Sequence, residues 1–236
     1  MSCRQTAGAN VLNQSIQMNS PLRVDYYTDV LCIWAWIAQR RNDEIEESRG
    51  KEIVIQHHCL NVFGDTANRI GKKWSDRGGY AGFAKHVRES AAPYASAPVD
   101  PRVWRYVRPH TSATAHLILK AAELITTREE ARSLADTLRG SFFVDALDIG
   151  NVGVVLDVAR GAGFDRTDLQ SAIESGQAHA ALMADYEHAQ ELGIKGSPSW
   201  VLNDGRQILY GNVGYRVLNA NIEELLKIPA HEASWC

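Results

Sequence analysis

Between residues 22 and 28 apolar and polar positions alternate as Leu-Arg-Val-Asp-Tyr-Tyr-Thr, the period-two pattern of a strand. From Trp34 the period lengthens. Apolar residues at 34, 37, 38 and 45, with Arg41 in the same series, mark one face of a helix that ends near Gly50. A second strand is expected over 52–61, where Ile53, Val54 and Ile55 are β-branched and Gly64-Asp65 stops the run.

Residues 66–176 show little alternation. Helical stretches are expected there at about 79–92, 111–126, 128–140, 151–163 and 166–176. The interval from Pro93 to Pro109 carries four of the seven prolines and reads as a long ordered loop or a set of turns. Asn151 and Asp165 stand where N-caps belong, Gly163 and Gly176 where the chain leaves a helix. Beyond them, 177–192 is a strong helix pattern, with Gly193 and Ile194 placed for a Schellman ending. Ser199-Trp-Val-Leu202 and Gln207-Ile-Leu-Tyr210 flank Asn203-Asp-Gly205, a hairpin signal. A last amphipathic helix covers about 218–226 and stops before Pro229.

The element order is therefore β-α-β, a block of helices, then α-β-β-α. Residues 21–65 and 177–228 make one α/β domain with a mixed sheet, and 66–176 is a helical insertion. Residues 1–20 read as a flexible polar arm and 229–236 as a tail.

Composition narrows the function classes. The chain has 236 residues, enough for a large buried core, and is near the globular average at 45% hydrophobic and 22% charged. A net charge of −3 lacks the positive field that nucleic acid or an anionic membrane surface requires, so neither is expected as a partner. No apolar run is long enough to span a bilayer, and residues 1–20 hold no secretory h-region. Cys3, Cys32, Cys59 and Cys236 are scattered, with no CxxC and no zinc spacing. A reduced, cytoplasmic protein without a metal is the expectation.

One of those thiols has a chemical address. Cys32, in Asp29-Val-Leu-Cys-Ile-Trp-Ala-Trp36, falls between the first strand and the first helix. Free N–H groups and the positive end of the helix dipole there favour an anion, so a depressed thiol pKa and a nucleophilic thiolate are expected. A lone cysteine is otherwise most often an inert core residue. The second feature is Gly196-Ser-Pro-Ser-Trp200, where Pro198 must open or edge a strand because it cannot donate to the ladder.

Strand, cysteine at a helix start, strand, helical insertion, helix, Ser-Pro and hairpin together resemble the DsbA-like branch of the thioredoxin superfamily, from about residue 22 to 226. Leu138-Arg-Gly-Ser-Phe-Phe143, Asp148-Ile-Gly150 and Glu191-Leu-Gly-Ile-Lys-Gly-Ser-Pro198 carry the likeness further. It is strongest to cytoplasmic dithiol-isomerase members, which are similar to 2-hydroxychromene-2-carboxylate isomerases and kappa-class glutathione transferases. The resemblance implies a thioredoxin-like fold, a cis proline at Pro198 and Cys32 as catalytic nucleophile. It also implies that Trp34 and Ala35 shape the site and that Ser197 and Pro198 position the incoming sulfur. Asn61, Phe63 and Asp65, ending the second strand at the same edge, are expected to line the pocket.

The departure is decisive. Where the family's oxidoreductases carry two cysteines, this chain reads Cys32-Ile-Trp-Ala35, so a mixed disulfide has no local resolving thiol. Three routes remain: resolution by an external thiol such as glutathione, glutathione as cosubstrate of an isomerase or transferase, or Cys59 as resolving thiol. The last requires Cα atoms within about 7 Å. A thiol oxidoreductase linked to glutathione, with no tightly bound cofactor, is the main expectation. A glutathione-dependent isomerase or transferase and a non-catalytic binding protein are the rivals. The expected partners are glutathione or another thiol-bearing molecule or protein, with room for a homodimer.

Four other readings come from the residues alone. Trp36 reads as a core aromatic. His57 and His58, adjacent on a strand, face opposite sides and read as structural. Arg102-Val-Trp-Arg-Tyr-Val-Arg-Pro-His110 reads as a solvated face or a contact within the helical block, with one arginine able to hold a glutathione carboxylate. Thr111 and Ser112 read as ordinary N-caps.

Overall fold

The computed structural model describes residues 21–227. The readings for residues 1–20, for 228–236, and for Cys3 and Cys236 lie outside the described residues.

β1 (Leu22–Thr28), α1 (Ile33–Arg49) and β2 (Ile53–Cys59) form a βαβ unit. α2 (Gly79–Ala91), α3 (Ala113–Ile125), α4 (Arg128–Phe143), α5 (Val152–Gly161) and α6 (Arg166–Glu174) follow. α7 (Gln177–Glu191), β3 (Ser199–Leu202), β4 (Gln207–Tyr210) and α8 (Tyr215–Lys227) complete the chain. The sheet runs β2-β1-β3-β4, with β1 parallel to β2 and β3 antiparallel to both β1 and β4. This is the mixed sheet expected of a βαβ unit joined to a terminal hairpin.

Each sheet face has its own cover. Val24, Tyr26, Ile53, Ile55, Trp200 and Leu202 pack with Ala38 and Ile45 of α1 and with Leu218, Ile222 and Leu225 of α8. Trp200 is fully buried, and its indole N–H donates to Asn42 Oδ1 at 2.9 Å. On the other face Tyr27 and Val201 meet Leu60 and Ala189 of α7. Polar residues alternate with apolar ones along β1, but α7 covers the face that carries Asp25. Asp25 is consequently buried, bonded to Arg23 and His58. His57 and His58 do face opposite sides: His57 meets Tyr26 edge-on, while His58 stacks on Tyr27.

The ends of the elements follow their local sequence. Asn151 and Asp165 accept two N–H groups each at the starts of α5 and α6. Thr127 and Glu130 make a reciprocal capping box on α4, which runs three residues past its expected end. After α7, Ile194 N–H reaches the Ala189 carbonyl at 2.9 Å and Gly193 N–H the Gln190 carbonyl at 3.0 Å. That is a complete Schellman motif, with Gly193 at φ 66° where a Cβ would be strained. Asp204 and Gly205, at φ 52° and 93°, make the primed turn that fits the hairpin twist.

Two turns escaped the periodicity. Residues Ala67–Lys72 form a π-helical turn and Ser75–Arg77 a 3-10 turn, both too short to repeat a pattern. The proline-rich interval is a chain of turns around Trp104, which is fully buried at φ 59°. Arg102 there is spent on Asp100, and Arg108 on the Trp104 and Arg105 carbonyls, while Tyr106 is exposed.

Candidate active site

A tight turn carries the chain from β1 into α1, and Asp29 organises it. Its Oδ1 accepts the Leu31 N–H at 2.9 Å, and the Cys32 N–H closes on the Asp29 carbonyl at 3.0 Å. Oδ2 accepts the N–H groups of Val62 and Phe63, at 3.0 and 2.8 Å, and the Ser112 hydroxyl at 2.8 Å. The carboxylate is fully buried and satisfied by four donors from three segments. Ser112 is thus not an ordinary N-cap. Its side chain leaves α3 uncapped and crosses to Asp29, while Thr111 Oγ1 accepts the Ala113 N–H.

Cys32 occupies the N-cap position of α1 with extended backbone angles, φ −84° and ψ 119°. Its thiol donates to the Ser197 carbonyl at 3.2 Å. The Ser197–Pro198 bond is cis, as the resemblance implied. Ser197 Oγ accepts the Asp29 N–H at 3.0 Å and approaches Thr28 Oγ1 at 3.5 Å. Pro198 is buried, and its carbonyl accepts the Gly211 N–H beyond β4 at 2.9 Å. The cysteine turn and the Ser-Pro turn, 165 residues apart, are therefore joined from both sides.

The expected low thiol pKa is not what this geometry produces. Burial leaves Cys32 only 5% exposed and pushes its pKa up. The Ser197 hydroxyl and the Ala35 and Trp34 N–H groups pull the other way and lose. Desolvation outweighs the helix terminus here because the ion would sit in a low-dielectric pocket. Cys59 is also buried, and its pKa is pushed higher still, again first by burial.

His116 completes the floor. Its Nε2 accepts the Val30 N–H at 3.3 Å, which assigns the proton to Nδ1 and makes that nitrogen the donor to Tyr186 Oη at 3.0 Å. Burial pushes its pKa down, in keeping with a neutral ring 3.8 Å from Asp29 Oδ1.

The structure brings Ser197 to Cys32 through its carbonyl, with Pro198 next in the chain, and the Ala35 methyl is buried with its N–H near the sulfur. Trp34 is half-buried and turns its ring to His86, at 6.4 Å between centroids. Phe63 supports the site through its backbone, while its ring packs on Phe83 and Trp104. Asn61 is exposed and accepts the Gly64 N–H; Asp65 is exposed and accepts that of Asn68. Both side chains are thus spent within their own loop. Trp36, read as a core aromatic, is only half-buried: its ring stacks on Phe143 at the edge of the core, and its indole N–H donates to the Pro98 carbonyl at 3.1 Å.

Asp29, Thr28, Ser112 and His116 were not assigned site roles from the sequence. Asp29 left a local signal, since an aspartate between a strand and a helix start favours a side-chain-closed turn. The other three are drawn in by tertiary contacts alone. Among the described residues no cluster suited to a metal ion occurs, and no helix is long and apolar enough to cross a membrane.

The fold recurs in solved structures. A candidate protein disulfide isomerase from Nitrosomonas europaea superposes with a TM-score of 0.71 at 14% identity, covering 88% of this chain and 98% of that one. The cytosolic disulfide reductase DsbM from Pseudomonas aeruginosa gives 0.66 at 19%, covering 88% and 100%; it has also been solved with GSH. A 2-hydroxychromene-2-carboxylate isomerase gives 0.65 at 17%, covering 90% and 100%. At such identities these likenesses establish the fold alone. No curated protein sequence matches the chain. The family model of the DSBA-like thioredoxin domain, however, matches residues 23–223, nearly the whole described chain. With the mixed sheet, the helices inserted after β2 and the cysteine facing a cis proline, the chain belongs to the DSBA-like thioredoxin domain family.

Proposed function

We propose that this protein is a thiol-disulfide oxidoreductase that works through Cys32 alone and uses glutathione as its second thiol. The observation that carries this reading is Cys32 at the start of α1, facing the cis Ser197–Pro198 turn, with Ala35 where a resolving cysteine would stand. The Cys32 thiolate attacks a substrate–glutathione disulfide, forming a Cys32–glutathione disulfide and releasing the substrate thiolate. A second glutathione thiolate attacks the glutathione sulfur, regenerating the Cys32 thiolate and leaving oxidised glutathione. Protons lost by the attacking thiols end on the departing ones. Such a cycle suits a reduced compartment, and the cytosolic DsbM among the structural likenesses supports a cytoplasmic setting.

One observation favours a second reading. The thiol donates its proton to the Ser197 carbonyl, and burial keeps it protonated. A neutral donor of this kind can hold a glutathione sulfur without bonding to it, as a glutathione-dependent isomerase or transferase requires. Intact mass after incubation with oxidised glutathione separates the two. An adduct on the wild type, absent in Cys32→Ser and released by reduced glutathione, is the expected result. No adduct, with glutathione binding that survives Cys32→Ser, would overturn it in favour of the isomerase or transferase class.

A further inference from the structure

The two short turns between β2 and α2 carry a positive rim. Ile70 and Trp74 fix them: Ile70 is fully buried, and the Trp74 ring meets Phe83 of α2 edge-on at 4.9 Å. With those positions turned inward, Arg69, Lys72, Lys73 and Arg77 are exposed. Among the described residues none of the four enters an ion pair or a side-chain hydrogen bond. Two carboxylates share the segment, and both are engaged locally. Asp65 accepts the Asn68 N–H, and Asp76 the Ser75 hydroxyl. Four cations against two carboxylates leave an excess of positive charge, on a chain whose net charge is −3.

A row of rings joins this rim to the thiol. Trp34, two residues past Cys32, lies 6.4 Å from His86 between ring centroids, and His86 lies 5.2 Å from Trp74. The Arg77 guanidinium stands 5.1 Å over the Trp74 ring. All three rings are half-buried, so each keeps part of its surface open. Burial pushes the His86 pKa down, and Arg77 adds to that, so the middle ring brings no charge of its own. Extended chain advances about 3.3 Å per residue, so a peptide leaving Cys32 along the row reaches the cations within a few residues.

We propose that this rim docks an acidic segment of the peptide or protein whose disulfide Cys32 attacks. The inference rests on the thiol-exchange reading above and names its substrate, a glutathionylated cysteine with carboxylates a few residues away. Complementary charge acts mainly on encounter, so rate is the quantity to read. Glutamates near a cysteine raise its thiol pKa and make it a poorer leaving group, so bond chemistry alone favours the opposite order.

The probes are glutathionylated peptides identical except for Glu, Gln or Lys at the positions flanking the cysteine. Transfer of glutathione to Cys32, read by intact mass, is expected to be about tenfold faster from the Glu peptide than from the Lys peptide at low salt. The gap should close at about 0.5 M salt. Lys72→Glu, Lys73→Glu and Arg77→Glu combined should reverse the order and leave alkylation of Cys32 by neutral iodoacetamide unchanged. All three positions are exposed, and the thermal transition checks folding. Equal rates for the Glu and Lys peptides in the wild type overturn the proposal, as does a Glu preference that the folded variant keeps. Docking is also read without reaction. A labelled Glu peptide with Ser in place of its Cys should bind the wild type more tightly than the variant, by fluorescence anisotropy. That binding without any adduct on Cys32 defeats the exchange reading and keeps the docking surface; adducts formed without charge preference do the reverse.

Discussion

Cys32 and Cys59 end up at neighbouring places in the fold, one just beyond β1 and the other at the end of β2, and both are buried. What surrounds them differs. Around Cys32 the hydrogen bonding is closed: Asp29, Ser197 and Ser112 satisfy one another and hold the thiol against a cis proline turn. Cys59 has its own N–H on Asp185, and its thiol lines a cavity with unfilled donors. Burial raises both thiol pKa values, but only Cys32 has the helix N–H groups and the Ser197 hydroxyl working against it. At Cys59 the opposing group is instead the Lys120 ammonium, and burial outweighs it too.

The largest expected effect is complete. Cys32→Ser should abolish the glutathione adduct, and Cys59→Ser should leave it intact, as read by intact mass. An adduct on Cys59 would invert the comparison and revive it as the working thiol.

Next comes the support under each cysteine. Asp29→Ala strands the Val62 and Phe63 N–H groups and the Ser112 hydroxyl, and should cost about 3–5 kcal/mol in urea unfolding. Asp185→Ala removes a carboxylate that binds His58, Lys120 and the Cys59 N–H, and should cost a similar amount. If the site beside Cys32 is as closed as its bonding, only the first variant should also change the alkylation rate of Cys32.

A pH series should sharpen the contrast. Burial lowers the His58 pKa, but its bonds to Asp185 and Asp25 outweigh it and set the folded value above 6.5. Its contribution to stability is therefore complete below pH 6.5 and is lost as pH rises through the folded value. Asp25 and Asp185 are shifted below 3.8, since their bonds to His58, Arg23 and Lys120 beat burial. Their contribution is present above pH 3.8 and is lost as pH falls through the lowered values. His58→Gln should flatten the alkaline side of this profile in a thermal melt. The alkylation rate of Cys32 should rise with pH through a midpoint above 9, and that of Cys59 through a higher one.

The smallest effect belongs to the link between the two regions. Thr28→Val removes the hydroxyl between Arg139 and Ser197 and should cost about 1 kcal/mol of stability by urea unfolding.

The strands, the helix ends and the Asp-Gly hairpin were legible because each is written in neighbouring residues. Asn151, Asp165, Gly193 and Gly205 bond or bend within a few positions of themselves. Cys32, Ser197 and Pro198 were legible as a set through the order of elements around them. Ser112 was misread because its local alternative, capping α3, lost to a partner 83 residues away. The thiol pKa was misjudged for a related reason, since the helix start is a local feature and desolvation is not.

The sequence by itself determined where the chain forms strands and helices, and that one cysteine stands at a helix start with no second thiol beside it. Only the tertiary structure decided that Asp25 is buried rather than wet, that Asp29 ties three segments together, and that His57 and Arg139 share a cavity. Turns and caps are set by bonds to adjacent backbone. Burial depends on which distant element covers a face, and so does the choice of bonding partner, which no local pattern records.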